Sequence, residues 1–130
     1  MCEREDIKHL LCQLNSRPKS PFPPSGQRIN APKTQGVYVI RNPAGEVLHV
    51  GRTLRGKDGL SQRLNNHLRG QSSFVRAHFN GDGNTLRDGC TFQYLEVDDD
   101  PTRALLEHCA VCWLCPHYLG LGASRSTESR

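Results

Sequence analysis

The chain has 130 residues and a mass of 14.6 kDa, with 35% hydrophobic and 23% charged residues and a mean hydropathy of -0.61, which fits one globular domain with polar appendages. No apolar run approaches the roughly 18 residues that a membrane-spanning helix needs. The net charge of +4 is unevenly spread: residues 1–90 hold 14 Lys and Arg against 7 acids and residues 91–130 hold 3 against 6, a pattern that suits a polyanionic partner handled near carboxylates.

Met1 to Asp6 is charged and no apolar core follows it, so no secretory signal is expected. The six cysteines, at 2, 12, 90, 109, 112 and 115, then read as thiols of an intracellular, cytoplasmic protein in reducing conditions. Residues 3–14 place Ile7, Leu10, Leu11 and Leu14 at helical spacing behind acids in the first turn, which predicts a short amphipathic helix. Five prolines between 16 and 34 predict an extended linker, and 120–130 reads as a disordered tail. The division expected is 1–34 helix and Pro-rich linker, 35–119 functional domain, and 120–130 tail.

Two β-rich runs, Val37 to Arg41 and Glu46 to Gly51, flank Asn42-Pro43-Ala44-Gly45, the pattern of a type I turn in a hairpin. With Asn42 and Gly45 bracketing the turn, Ile40 faces Val47, Val39 faces Leu48 and Tyr38 faces His49. Val37, Val39, Leu48 and Val50 then form one apolar face, expected to be the buried one. Residues 52–58 make a basic loop. Leu60, Leu64 and Leu68 mark a helix over 59–69, on which Arg63 and His67 stand four apart so that their heads converge. A second short helix is predicted at 72–79, a loop at 80–89 and a strand at 90–97. Asp98 to Asp100 before Pro101 start a final helix over about 101–115, whose only internal carboxylate is Glu107.

Tyr38, His49, Arg63, His67 and Glu107 together hold the parts that phosphodiester hydrolysis needs. Tyr or His supplies a base for water, Arg a fixed cation beside the phosphate, and a carboxylate the oxygen ligand that a hard divalent ion prefers. Gly36-Val37-Tyr38, then His49-Val50-Gly51-Arg52-Thr53 ten residues on, then Arg63-Leu64-Asn65-Asn66-His67, resembles the ordered motifs of the GIY-YIG nuclease superfamily. Glu107, on a helix after a third strand, matches that family's metal-binding glutamate. The resemblance covers roughly residues 35–118. It implies an α/β (α+β) fold, a three-stranded antiparallel sheet flanked by helices. It also implies a DNA endonuclease that uses one Mg²⁺ or Mn²⁺ held by Glu107, with Arg63 neutralising phosphate charge, Tyr38 positioning or deprotonating water, and His67 orienting Tyr38 or contacting the phosphate.

The chain departs from the family pattern twice. His49 stands where the second motif has tyrosine; an imidazole titrates near 6.5 against about 10 for a phenol, which would pass the base role to His49. No asparagine follows the glutamate, and His117 and Tyr118 stand in that region instead. The alternative reading is therefore a nucleic-acid-binding module without catalysis. Arg52, Arg55, Lys57, Arg69 and Arg76 are the expected phosphate contacts to DNA, duplex or branched. The chain would act as a monomer or, for a double-strand cut, a homodimer. A third reading, a cysteine-ligated metal or redox protein, rests on Cys109-x-x-Cys112-x-x-Cys115. Three thiols on one helix suit packing better than tetrahedral ligation.

Overall fold

The structure, a computed structural model, describes residues 4–54 and 56–118. Cys2, the expected DNA contact Arg55 and the tail expected at 120–130 lie outside the described residues. Helix α1 (Glu5–Ser16) starts with Glu5 and Asp6 in its first turn, where negative charge meets the positive end of the helix dipole. Ile7 and Leu14, two turns apart, share its buried face, which packs on the last helix and the last strand.

The chain then stays extended, as its prolines require, but it is not a free spacer. Ser20–Pro21 forms a two-residue strand, β1, paired with Phe92 and Thr91. Proline is tolerated there because the strand lies at a sheet edge. Phe22 and Ile29 are buried, both in one core cluster with Tyr38 and Leu64. Ile29 is also clasped through its backbone: its N–H donates to Asn65 Oδ1 at 2.9 Å, and Asn65 Nδ2 donates back to its carbonyl at 3.2 Å.

The hairpin consists of β2 (Gly36–Arg41) and β3 (Val47–Arg52). Its register corrects the sequence expectation. Ile40 faces His49, Val39 faces Val50 and Tyr38 faces Gly51, with an irregularity between Ile40 and Arg41. Two slips of one residue cause this. Gly45, at φ +90°, follows the turn in the left-handed region, so Asn42 pairs with Glu46 rather than Gly45, the geometry of a three-residue hairpin loop. A bulge then sets Leu48 and His49 together against Ile40. The two slips sum to an even shift, so Tyr38 and His49 still share a face. Leu48, however, packs with Tyr38 and Ile40, not with Val37, Val39 and Val50.

Strand β4 (Thr91–Glu96) pairs antiparallel with β2, giving the order β1-β4-β2-β3. The expected three strands are present, and β1 adds a fourth. Both faces of the sheet are covered, so the hairpin has no solvent-facing side. Helices α2 (Gly59–Leu68) and α3 (Ser73–Phe79) lie over Tyr38, Ile40 and Leu48. Helices α1 and α4 (Asp100–Leu114) lie over Val37, Val39 and Val50. Gly83–Arg87 is a short 3₁₀ turn in the expected loop. Asp99 caps α4 by accepting from Thr102 N–H at 3.0 Å, as the Asp-Pro signal implies. Among the described residues no helix is long and apolar enough to cross a membrane.

Of the cysteines on α4, Cys109 is buried as the packing expectation has it, but Cys112 is exposed, as is Cys115, which follows the helix as its C-cap. Arg103 is only 2% exposed. Its guanidinium donates to the carbonyls of Thr53, Leu54 and Val97 at 2.9–3.0 Å and contacts Asp100. It thereby ties α4 to the end of β3 and sets Glu107 one turn further along.

Candidate active site

A cleft of about 530 Å³ opens between the end of β3, α2 and the start of α3, and His49, Arg63, His67 and Glu107 all line it. Tyr38 lies beneath, fully buried. Its hydroxyl is 2.8 Å from Nε2 of His67 and 3.4 Å from Nε2 of His49. The three rings meet edge to face at 5.3–5.7 Å between centroids. The hairpin supplies two of these rings through its shared face, and the four-residue spacing on α2 supplies the third beside Arg63.

Gly51 makes the arrangement possible. It faces Tyr38 across the hairpin, and a Cβ there would overlap the Tyr38 hydroxyl and sit 2.6 Å from its Cζ. Ser72, which the sequence reading passed over, completes the set. Its Oγ accepts from Val75 N–H at 3.2 Å as the cap of α3 and lies 2.7 Å from Nδ1 of His67. A serine just before a predicted helix is a cap signal, but nothing in the sequence says which side chain shares the cap. Phe74 stacks on His49 at 4.7 Å with a 10° interplanar angle.

Glu107 reaches the cleft from α4 at the end of edge strand β3, where Arg52 Nη1 donates to its Oε1 at 2.7 Å. Arg52 thus lies in the cleft, but paired with the acid. Arg69 lines a neighbouring groove, and Lys57 and Arg76 are exposed and line neither hollow. Tyr118, also outside the sequence assignment, lines the cleft with its ring 5.5 Å from His49. Its N–H bonds the Leu48 carbonyl at 2.9 Å, so the chain after α4 closes over the β3 edge.

Burial governs the charges. It pushes the pKa of His49 down to about 3, with the Arg63 charge adding to the effect. His67 is held well below the ordinary value by burial, then by His49 and Arg63. Burial raises the Tyr38 hydroxyl, opposed by Arg63, and it raises Glu107, opposed chiefly by Arg52. At neutral pH the site therefore holds two uncharged imidazoles and a protonated phenol. The ordinary imidazole pKa on which the sequence reading of His49 rests does not apply in this site.

Two buried polar atoms of the site lack hydrogen-bond partners among the described residues, His49 Nδ1 and Arg63 Nε. The hydrogen-bond chain has two possible directions. If Ser72 donates to His67, every bond runs toward His49 and leaves its Nδ1–H as a buried orphan donor. If His49 Nε2–H donates to Tyr38, Tyr38 donates to His67 Nε2, and His67 Nδ1–H donates to Ser72. The orphan is then a lone pair, and buried orphan acceptors are better tolerated than orphan donors. The second direction is favoured, and it leaves a proton acceptor at His49.

Among the described residues no group of three His, Cys, Asp or Glu side chains is placed to hold a metal ion. A hard ion such as Mg²⁺ does not require one, because it keeps several waters and takes one or two carboxylates plus a substrate phosphate. Arg52 occupies only Oε1 of Glu107, so Oε2 fits as a single protein ligand.

No family model matches the chain and no curated protein matches it in sequence. Its backbone is similar to the N-terminal GIY-YIG endonuclease domain of UvrC from Thermotoga maritima, bound to its catalytic divalent cation, magnesium. The match has a TM-score of 0.52 and 18% identity over 90% of this chain and 99% of that one. Asparagine-to-alanine and tyrosine-to-phenylalanine variants of that domain, each bound to its catalytic divalent cation, match with the same score and identity over 98% of their length. The fold, an antiparallel sheet flanked by helices, is that of a GIY-YIG endonuclease domain.

Proposed function

We propose that this chain is a metal-dependent DNA endonuclease of the GIY-YIG superfamily. The observation that carries the reading is the convergence of His49, Arg63, His67 and Glu107 on one cleft over a buried Tyr38, in a fold shared with magnesium-bound endonuclease domains. Glu107 would hold the divalent ion, which supplies positive charge at the phosphate and the leaving oxygen.

The chain's own groups do the rest. Arg63, with Nε unpartnered, meets the charge that develops on the phosphate. His49 Nδ1 takes a proton from the attacking water, whose oxygen bonds to phosphorus as the opposite P–O bond breaks. His49 Nε2–H is steadied by Tyr38, Tyr38 by His67, and His67 by Ser72, so the imidazole holds one tautomer and one orientation. Burial is the larger cause of the depressed basicity of His49, and a phosphate entering beside Arg63 offsets the smaller one, the Arg63 charge. Arg52 opposes the burial that raises the Glu107 carboxyl.

Nicking of supercoiled plasmid with Mg²⁺ tests the reading. Glu107→Ala and Arg63→Ala should each abolish nicking while the melting temperature stays close to wild type. Nicking by both variants at the wild-type rate would overturn the site. Retarded DNA with no cutting by the wild type in Mg²⁺ or Mn²⁺ would establish the binding module instead, in which His49 and Tyr118 mark lost chemistry.

A further inference from the structure

Beyond the cleft lies a second hollow of about 520 Å³, between residues 28–33 and α2, lined by Arg28, Lys33, Asp58, Gln62 and Arg69 among others. Gln62 lines both hollows, so they adjoin along the helix. The groove is a built feature. Ile29 is buried and Asn65 clasps it on both backbone groups, while the carbonyls of Pro32 and Thr34 accept from Ser61 and Leu60 N–H at 2.9 Å. These bonds lay the Pro-rich segment against the first turn of α2 and hold Arg28 and Lys33 at its outer rim.

The cations of this groove, Arg28, Lys33 and Arg69, outnumber its one acid, Asp58. Neither Arg28 nor Lys33 has a hydrogen bond or ion pair among the described residues, and Asp58 neutralises neither. Arg69 is steadied by Asn66, which itself lines the cleft. Two cations on the Pro-rich rim and a third beyond the end of α2, around a hollow that shares Gln62 with a phosphate-handling cleft, suit an extended polyanion rather than one small anion. We infer that this groove holds the DNA backbone beside the cleft, with Arg28, Lys33 and Arg69 contacting its phosphates. The inference rests on the endonuclease reading and adds where the substrate runs.

The test is fluorescence anisotropy of a labelled duplex of two helical turns, in EDTA so that nothing is cut, over a range of salt concentrations. The triple variant R28Q/K33Q/R69Q should lose roughly three units from the slope of log affinity against log salt, about one for each phosphate contact removed. Its melting temperature should match wild type, because the three side chains are exposed. K8Q, which removes a charge on α1 across the sheet, should leave the slope unchanged. A triple variant with the wild-type slope overturns the groove assignment and leaves the nuclease reading standing. A wild-type chain that binds no duplex overturns both.

Discussion

The Tyr38 hydroxyl stands 2.8 Å from Nε2 of His67, and neither residue has any exposed surface. A buried phenol bonded to a buried imidazole works as a unit only if the imidazole keeps one tautomer, and the group on its other nitrogen sets that. Ser72 Oγ, 2.7 Å from Nδ1, is that group. Replacing Ser72 by Ala should lower the turnover of nicking at least about tenfold, with little change in the concentration of DNA needed for half-maximal rate. Ser72→Thr, which keeps the hydroxyl, should restore most of it. Loss of the α3 cap should cost about 1 kcal/mol of stability, and the threonine variant would recover that too. Urea melts and nicking rates on the two variants separate the effects; wild-type turnover in the alanine variant would remove Ser72 from the positioning chain.

The buried imidazoles also set how the fold responds to acid. Below pH 6.5 the unfolded chain binds a proton at His49 and at His67, whereas the folded chain refuses both. For His49 the refusal persists to about pH 3, and His67 is shifted in the same direction. Their contribution is therefore complete above pH 6.5 and is lost as the pH falls, by about 1.4 kcal/mol per unit for each histidine. Between pH 6.5 and 5.5, before ordinary carboxylates titrate much, this should dominate the loss. His49→Gln should lower the slope of stability against pH in that interval, as measured by urea denaturation, leaving the part due to His67 and to His78, which burial also holds low. An identical slope in the variant would show that His49 is protonated in the folded protein.

The elements of the fold were legible in the sequence because each has a local cause. Leucines four apart mark α2, an Asp-Pro start marks α4, and Pro-Ala-Gly marks the hairpin turn. The hairpin register was not legible, since the bulge that pairs both Leu48 and His49 with Ile40 depends on which faces the helices later cover. Tyr38 and His49 were placed on a common face by a register that was wrong by an even number, which left their side unchanged. The Pro-rich stretch reads as a linker in the sequence because prolines report backbone preference and say nothing of contacts; the pairing of β1 with β4, the burial of Phe22 and the clasp of Ile29 by Asn65 show that it is packed. The depressed basicity of His49 was equally out of reach, because burial under Phe74 and Tyr118 joins residues distant in sequence.

Arg103 illustrates a residue whose role exists only in three dimensions. Its planar fork serves the carbonyls of Thr53, Leu54 and Val97 at once. Arg103→Met would keep much of the volume and strip these carbonyls, and that of Asp98, of their donor. At roughly 1 kcal/mol or more for each buried group left unpaired, the variant should lose about 3 kcal/mol in urea denaturation. Lysine, a point charge without the fork, should recover only part of this. A loss below about 0.5 kcal/mol, the range of an ordinary surface change, would mean that solvent reaches those carbonyls.

Gly51 gives the sharpest steric prediction. A methyl on its Cα would overlap the Tyr38 hydroxyl and approach Tyr38 Cζ at 2.6 Å and His49 Nε2 at 3.0 Å. None of these atoms can retreat freely, because Tyr38 is packed among Leu60, Leu64 and Phe74 and β2 is paired on both sides. Gly51→Ala should therefore cost about 1–3 kcal/mol by overpacking. It should also push the phenol away from the two imidazoles, removing most nicking activity at temperatures where the variant is still fully folded. Removing the hydroxyl should relieve that overlap, though not the 2.6 Å approach to Cζ: Tyr38→Phe in the Gly51→Ala background should melt somewhat higher than Gly51→Ala alone, although neither variant would cut well. Equal melting temperatures for the single and double variants would show that the added methyl meets something other than the Tyr38 hydroxyl.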